Sequence, residues 1–468
     1  MFIARENELN ELRSLANHQR FEFLVMFGRR RVGKTELLRQ LSKEYDTLFY
    51  SAQIKNAPIN LSDFSDKITE HFHLGTGLSF ASWEKAFEFI SNNQKERLIV
   101  IIDEFPFLAN GNPTILSTLQ HIIDHNWKNK NLFLILCGSA VSFMEKEVLS
   151  AKSPLYGRRT AMMEVKPFDY YDASLFTPNL DDETKAIVYG AFGGIPKYLE
   201  LYDPSLSLKD NLLQNILKTT SYLFEEPDFL LRTELRETAV YNSILEAMAM
   251  GNAKINDISS QIHEENTKTV KYISVLNQLR IVQREVPATE DIHKSKKSIY
   301  SFKDNFFRFW YSFVFPHKQE IELLGAELTY SYVENGLSSY MGLIFEKMCQ
   351  DYLLRCIRSR KIDFIPEHMG KWWGANPYRK DEKGRPKQDD IDILMYNKEC
   401  CLLGECKFTN EKFRYEDYTA LVEISQMFKQ ERKSYYLFSK RGFDQRILKE
   451  AEMDTRIVLV ELKDLYQV

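Results

Sequence analysis

The 468-residue sequence contains no uninterrupted apolar run long enough for a membrane span, no C-x-x-C pair and no large excess of either charge. A spanning helix needs roughly 20 consecutive apolar residues, so a membrane-embedded protein is not expected. With 62 Lys and Arg against 66 Asp and Glu, the net charge is −4. That excludes a uniformly basic nucleic-acid coat, and any such surface must be local. The six cysteines (Cys137, Cys349, Cys356, Cys400, Cys401 and Cys406) have no companion histidine cluster. They predict reduced, mostly buried thiols rather than disulfides or zinc. His71, His73, His121 and His125 lack a matching ligand set and read as helix residues without chemistry. The opening "MFIARENELNEL" is charged and has no apolar centre, so it does not read as a signal peptide. A cytoplasmic protein is expected. There is no internal repeat and no low-complexity tract. What is present is a hydrophobic fraction of 44%, ample for the cores of several domains.

The strongest local pattern is "FGRRRVGKTELL", Phe27 to Leu38. Gly28, Gly33, Lys34 and Thr35 give G-x-x-x-x-G-K-T, with Arg29, Arg30, Arg31 and Val32 between the glycines. An apolar run, Phe21 to Phe27, precedes it, and Leu37, Leu38 and Leu41 follow at helical spacing. Strand, glycine loop and helix form the context in which backbone N–H groups cradle phosphates. The new helix adds the positive end of its dipole. Lys34 is expected to reach the β- and γ-phosphates of ATP, and Thr35 to ligate Mg²⁺. Side chains at Arg29 to Arg31 are expected to form a solvated basic loop tip.

Strands are predicted at "FEFLVMF", "TLFYSA", "RLIVIIDEF", "NLFLILCGS" and "AMMEVKPF", with helices between. Near-continuous apolar strands alternating with helices predict a parallel sheet covered on both faces. In "LIVIIDEFPFL", Asp103 and Glu104 end such a strand. Asp103 is placed to hold Mg²⁺, and Glu104 to polarise the attacking water as general base. Taken alone, the pair could equally be an ordinary acidic turn. Ser139, at the end of "LFLILCGS", reads either as a γ-phosphate contact or as a simple strand cap. Arg158 and Arg159 could neutralise charge on the transferred phosphoryl group, in their own site or a neighbour's, or be plain surface arginines.

These motifs in this order resemble the archaeal-type ATPases, a branch of the STAND and AAA+ P-loop NTPases. The resemblance rests on "FIARENEL", "GRRRVGKT", "IVIIDEF", "CGS" and "GGIPKYL", and covers roughly the first half of the chain. It implies that Arg5 and Glu6 border the adenine, and that Gly194 to Pro196 lie beside the nucleotide. It also implies an extra strand inserted between the P-loop strand and the Asp-Glu strand.

From about Arg232 to Phe302 the pattern is three short helices and two strands. Ile244, Leu245 and Met248 form one apolar face, "INDISSQI" is a short second helix, and Val270, Ile273, Leu276 and Leu279 are expected to face inward on the third. With "IVQREV" and "SIYSF" as a wing, this is helix-turn-helix grammar. Lys268 and Lys271 could meet phosphates. The alternative is a lid that senses nucleotide state, the role a winged helix often has in the resembled family, and that reading is favoured.

The C-terminal stretch "DDIDILMYNKECCLLGECKFTN" predicts two strands joined by a short polar turn. Glu405 and Lys407 are two apart and so share a face. Across the hairpin, Asp392 and Glu405 can bracket one divalent cation, with Lys407 orienting a water beside it. Upstream, "GLIFEKMCQDYLLR" could present Glu346 to the same face. This Asp…Glu-x-Lys pattern resembles the PD-(D/E)XK nucleases, although Ile391 stands where that pattern has proline. With "YSFKDNFFRFWYSFV" it further resembles the loosely defined, nuclease-like domain fused to archaeal-type ATPases. From Arg355 to Lys387 there are ten Lys or Arg against four Asp or Glu, with Trp372, Trp373 and Tyr378 interleaved. Cations and aromatics together suit nucleic acid, and a solvated loop with core-closing tryptophans is the alternative.

The expected architecture is α/β: a P-loop NTPase parallel sheet (1–168), a helical lid region (169–231), a winged helix (232–303), a helical linker (304–337) and a restriction-endonuclease-like α/β domain (338–468). "EDIHKSKKS" and "NPYRKDEKGRPKQ" are the most linker-like segments. The expected function is Mg²⁺-ATP binding and hydrolysis controlling the nuclease-like domain, with DNA or RNA, a protein partner or a second copy as possible partners. The rivals are a regulatory or scaffold protein with an inert nuclease fold, and a winged-helix DNA-binding regulator.

Overall fold

Six consecutive buried residues, Glu22–Phe27, form strand β1, an inner strand of a parallel sheet. Its companions are β2 (Thr47–Ser51), β3 (Leu98–Asp103), β4 (Leu132–Gly138) and β5 (Ala161–Glu164), in the order β2-β3-β4-β1-β5. Strands β3 and β4 are buried throughout, whereas the edge strands β2 and β5 alternate. This is the burial that helices on both faces impose. Strand β4 lies between β1 and β3, so the inserted strand is found. The computed structural model describes residues 2–75, 77–380 and 382–467. The outermost residues of the first and last expected segments, Met1 and Val468, and Asp381 of the expected linker, lie outside them.

The chain divides into two units, Met1–Pro167 with Ile195–Lys197, and Phe168–Gly194 with Tyr198–Val468. In the first unit an aromatic core lies against the sheet. Phe64 stacks on Trp83 with centroids 5.0 Å apart, and Phe87 meets Trp127 edge-on at 5.4 Å.

In the second unit, the helices Thr238–Ala249, Ile255–Gln261 and Asn266–Gln278 precede an antiparallel hairpin of β6 (Val282–Glu285) and β7 (Ile299–Phe302). The third helix corrects one expectation. Val270 is 44% exposed, and Thr269 is buried in its place. The inward stripe runs Thr269, Ile273 and Leu276, and a residue one step on is rotated by about 100°. Beyond β6, the Ala288 N–H donates to Lys371 O at 2.8 Å, so this segment seats on the C-terminal sheet. The aromatic helix Asn305–Phe313 is capped by Asp304, whose carboxylate accepts from Phe307 N at 2.9 Å. It buries Phe306, Phe307, Phe309, Trp310, Tyr311 and Phe313. A single helix then runs from Ala326 to Arg358, so the boundary expected at 337/338 falls inside it.

The C-terminal sheet has the order β12-β11-β10-β9-β8. Its strands are β8 (His368–Lys380), β9 (Pro386–Tyr396), β10 (Cys400–Lys407), β11 (Arg432–Ser439) and β12 (Ile457–Glu461). Strands β8, β9 and β10 pair antiparallel, and β10, β11 and β12 pair parallel through the crossover helices Tyr415–Ile424 and Gln445–Met453. Of the linker expected at 376–388, residues 376–380 and 386–388 are instead strand, the ends of β8 and β9. Asp389 is buried there, accepting from Asn376 Nδ2 at 3.0 Å and Arg379 Nη1 at 2.8 Å, and these contacts order a segment that composition alone marks as loop. All six cysteines are free, and all but Cys400 are buried. Among the described residues no helix is long and apolar enough to cross a membrane.

Candidate active sites

The glycine loop between β1 and the helix Lys34–Ser42 has the backbone its sequence requires. Gly33 is left-handed, with φ +94°, and a Cβ on Gly28 would lie 2.3 Å from Val165 O. Arg31 is also left-handed, at φ +70°. Lys34 is buried, and its ammonium donates to Gly28 O at 2.8 Å and Arg29 O at 2.9 Å. Burial holds it below the ordinary lysine range, against the pull of the nearby acids Asp103 and Glu104. The Thr35 hydroxyl donates to Asp103 Oδ2 at 2.8 Å. The carboxylate of Asp103 accepts the Glu104 N–H at 3.0 Å. Glu104 is left-handed, φ 51° and ψ 40°, a strained conformation of the kind found at functional sites. Ser139 Oγ donates to Glu104 Oε2 at 2.8 Å. One chain of hydrogen bonds therefore joins the loop, the Asp-Glu strand end and the β4 strand end.

Arg5 is buried and clamps the loop from the N-terminal helix. Its guanidinium donates to Val32 O at 3.0 Å, Lys166 O at 2.7 Å and Glu8 Oε1 at 2.7 Å. Glu6 is exposed at the start of that helix. Pro196 lies 3.9 Å from a Cβ built on Gly33, which puts it against the loop. The solvated loop tip is found at Arg30 alone: Arg29 is buried and Arg31 is half-buried. Arg158 is not free for phosphate. Its guanidinium grips Asp124 through two bonds of 2.9 and 2.7 Å. Arg159 contacts Met162 Sδ.

The second cluster lies in the C-terminal unit. Asp392 on β9 accepts the Cys406 N–H at 2.9 Å, beside Glu405 and Lys407 on β10. Lys407 Nζ donates to Glu405 Oε1 at 2.6 Å. Glu346, on the helix Ala326–Arg358, is ion-paired with Lys371 on β8. Burial and the neighbouring Asp392 push Glu346 up to about 7 and Glu405 up to about 8. Burial also raises Asp392. Burial opposes the charge on Lys371 and Lys407, but Glu346 and Glu405 hold them above the ordinary lysine range. Among the described residues no three His, Cys, Asp or Glu side chains are gathered as a ready metal-ligand set. Asp392 and Glu405 offer the hard oxygens a divalent cation takes.

Lys371 escapes sequence reasoning, because nothing in "GKWWG" marks it until the fold sets Glu346 opposite. Of the interleaved aromatics, Trp372 is a core residue, edge-on to Phe428 at 5.9 Å, and Tyr378 is 65% exposed.

Residues 2–202 match the model of a family described as an ATPase domain predominantly from Archaea. Residues 310–419 match that of archaeal and bacterial proteins of unknown function. Uncharacterized protein MJECL04 of Methanocaldococcus jannaschii is 32% identical over 414 residues, 88% of this chain and 89% of that one. The chain belongs to the same family as that protein. In this chain the ATPase domain precedes the C-terminal domain of unknown function. The Walker-type ATPase PABY2304 of Pyrococcus abyssi is similar at 20% identity and a TM-score of 0.48, over 66% of this chain and 95% of that one. The ORC2 protein of Aeropyrum pernix is similar at 15% identity and a TM-score of 0.43, over 68% and 92%.

Proposed function

We propose that the protein is a Mg²⁺-dependent ATPase whose nucleotide cycle controls a nuclease-like C-terminal domain acting on DNA or RNA. The observation that carries the first half is the hydrogen-bonded chain Thr35–Asp103–Glu104–Ser139 beside the glycine loop. Lys34 binds the β- and γ-phosphates by giving up its carbonyl contacts, and the amides from Gly28 to Thr35 surround them. Thr35 and Asp103 hold the Mg²⁺. Bound Mg²⁺ supplies charge neutralisation on the phosphates. Glu104 accepts the proton of the attacking water at a carboxylate oxygen, and Ser139 orients that carboxylate. Arg5 and Glu6 flank the base. The first three divisions, 1–168, a lid region at 169–231 and a winged helix at 232–303 acting as a lid, belong to the same reading.

For the C-terminal domain the supporting observation is topological: a helix bearing Glu346, then strands bearing Asp392 and the Glu405–Lys407 pair, with a crossover helix following. Asp392 and Glu405 would hold a divalent cation, and Lys407 would hold phosphate charge or position a water. A regulatory protein with an inert fold is the second reading, favoured by the Glu405–Lys407 ion pair that occupies a ligand. A DNA-reading winged helix has less behind it, because Lys268 is taken by Glu264 at 2.8 Å.

The deciding experiment incubates the purified protein with single- and double-stranded DNA and RNA, with and without ATP, in Mg²⁺ or Mn²⁺. Cleavage that changes with ATP is expected. Absence of cleavage in every condition favours the inert fold. In parallel, Glu104→Gln is expected to bind ATP and hydrolyse it on the order of a hundredfold more slowly. Wild-type phosphate release by that variant would remove Glu104 as the base.

A further inference from the structure

The helix Asn305–Phe313 presents its apolar residues to the core on every side but one. Asn305, Arg308 and Ser312, at helical spacing, are the positions not fully buried. The helix meets the long helix Ala326–Arg358 through Phe309, Phe313 and Arg308. A Cβ on Gly336 would meet the Phe313 ring at 2.6 Å, and Phe313 and Phe309 flank Tyr340 at 5.3 and 5.7 Å. The Tyr340 hydroxyl donates to Asn305 O at 2.9 Å. The contacts descend on one helix as they rise on the other, so the two run antiparallel. Arg308, its guanidinium 5.9 Å over the Tyr340 ring, is thereby carried toward Glu346, less than two turns further on.

Among the described residues the Arg308 guanidinium has no hydrogen bond or ion pair; its backbone N–H donates to Asp304 O at 3.1 Å. Its acidic neighbours are committed elsewhere. Glu346 is held by Lys371. Glu285 accepts from Gln283 Nε2 at 3.0 Å and from Ser301 Oγ. A guanidinium with a structural duty at an acidic cluster takes a carboxylate in two-point fashion. This one does not, although burial makes its charge costly and lowers its pKa. A planar fork left open beside carboxylates matches a phosphate from outside.

We infer that Arg308 is a phosphate anchor of the carboxylate site, holding a phosphodiester of a nucleic-acid strand beside Glu346, Asp392 and Glu405. This rests on the proposed nucleic-acid reading of that site. It extends the site beyond the C-terminal sheet to a helix whose sequence reads as pure core.

The test uses the full-length protein, Ca²⁺ in place of Mg²⁺, and fluorescence anisotropy with labelled single- and double-stranded oligonucleotides over a salt series. Arg308→Met is expected to weaken binding about tenfold or more, as loss of a charged hydrogen bond does. The slope of log affinity against log salt should fall by about one. Arg308→Lys should keep the slope. The melting temperature of Arg308→Met should not drop, since methionine can keep the contact with the Tyr340 ring and the guanidinium has no hydrogen bond or ion pair to lose, and ATP hydrolysis should be unchanged. A lowered melting temperature with unchanged affinity and slope would make Arg308 structural and overturn the inference. If Asp392→Asn abolishes cleavage while Arg308→Met binds as the wild type does, the inference falls and the nuclease reading stands. Wild-type protein that binds no strand overturns both.

Discussion

Lys34 spends its charge on two carbonyls, Gly28 O and Arg29 O, in a buried setting that already disfavours the ammonium. A triphosphate offers that ammonium far stronger acceptors, so Lys34→Ala should lose most ATP affinity while leaving the loop amides in place. Isothermal titration checks this, and unchanged affinity would end the assignment of the loop. Glu405 makes a different argument, through pH. Its folded pKa of about 8 lies above the ordinary carboxyl value, so between about 4 and 8 the folded state holds more protons than the unfolded one. Stability contributed by this group is therefore present at low pH and is lost as pH rises through about 8. Glu405→Gln should leave the melting temperature unchanged near pH 5 and raise it near pH 9. The same protons compete with metal, so divalent-cation affinity of the wild type should climb as pH rises through 7 to 8. A melting difference that shrinks with rising pH would show the sign to be wrong.

At the scale of elements, the helix Asn305–Phe313 holds the second unit together. Trp310 is fully buried, and its Nε1 donates to Phe224 O at 2.8 Å. The Tyr311 hydroxyl donates to Asn242 Oδ1 at 2.8 Å, tying the same helix to Thr238–Ala249. Trp310→Ala removes a large side chain and orphans a buried carbonyl, at a cost of roughly 3–5 kcal/mol. Chemical denaturation should find that loss, with nucleotide affinity kept; a cost under about 1 kcal/mol would deny the helix its role. A helix was expected here within the linker at 304–337, and its burial follows because nine residues rich in aromatics cannot be left in water. The three inner strands β1, β3 and β4 were legible because strands buried on both faces read as continuous apolar runs. The β8–β9 arm was not. Its order comes from Asp389 meeting Asn376 and Arg379 across the strands, a pairing that local composition does not encode. Val270 was misplaced because a short amphipathic helix allows two neighbouring stripes, and packing chose the one through Thr269. At the sites, Gly28, Lys34, Thr35 and Asp103 were legible because the loop is contiguous and its partner strand follows a fixed pattern. Lys371 was hidden because its role exists only once a distant helix lies across β8.

For the whole molecule, the two chemistries sit in units with separate hydrophobic cores, one built on β1–β5 and the other containing β8–β12. No residue of the glycine loop, the Asp-Glu strand end or Ser139 belongs to the second unit, and none of the carboxylates around Asp392 belongs to the first. Substitutions should therefore separate the activities. Asp392→Asn keeps an acceptor for the Cys406 N–H but halves the anionic donors available to a cation shared with Glu405. Lys407→Met removes the ammonium that faces Glu405 and any phosphate brought there. Metal-dependent cleavage of nucleic acid should vanish in both, and ATP turnover should match the wild type. The converse substitution, Lys34→Ala, should abolish ATP turnover and leave basal, ATP-independent cleavage to the second unit. Measuring phosphate release and strand cleavage on the same three preparations decides the matter. Cleavage that survives Asp392→Asn would put the nuclease chemistry elsewhere. ATP turnover lost in Asp392→Asn would show that the two sites do not work as separate machines.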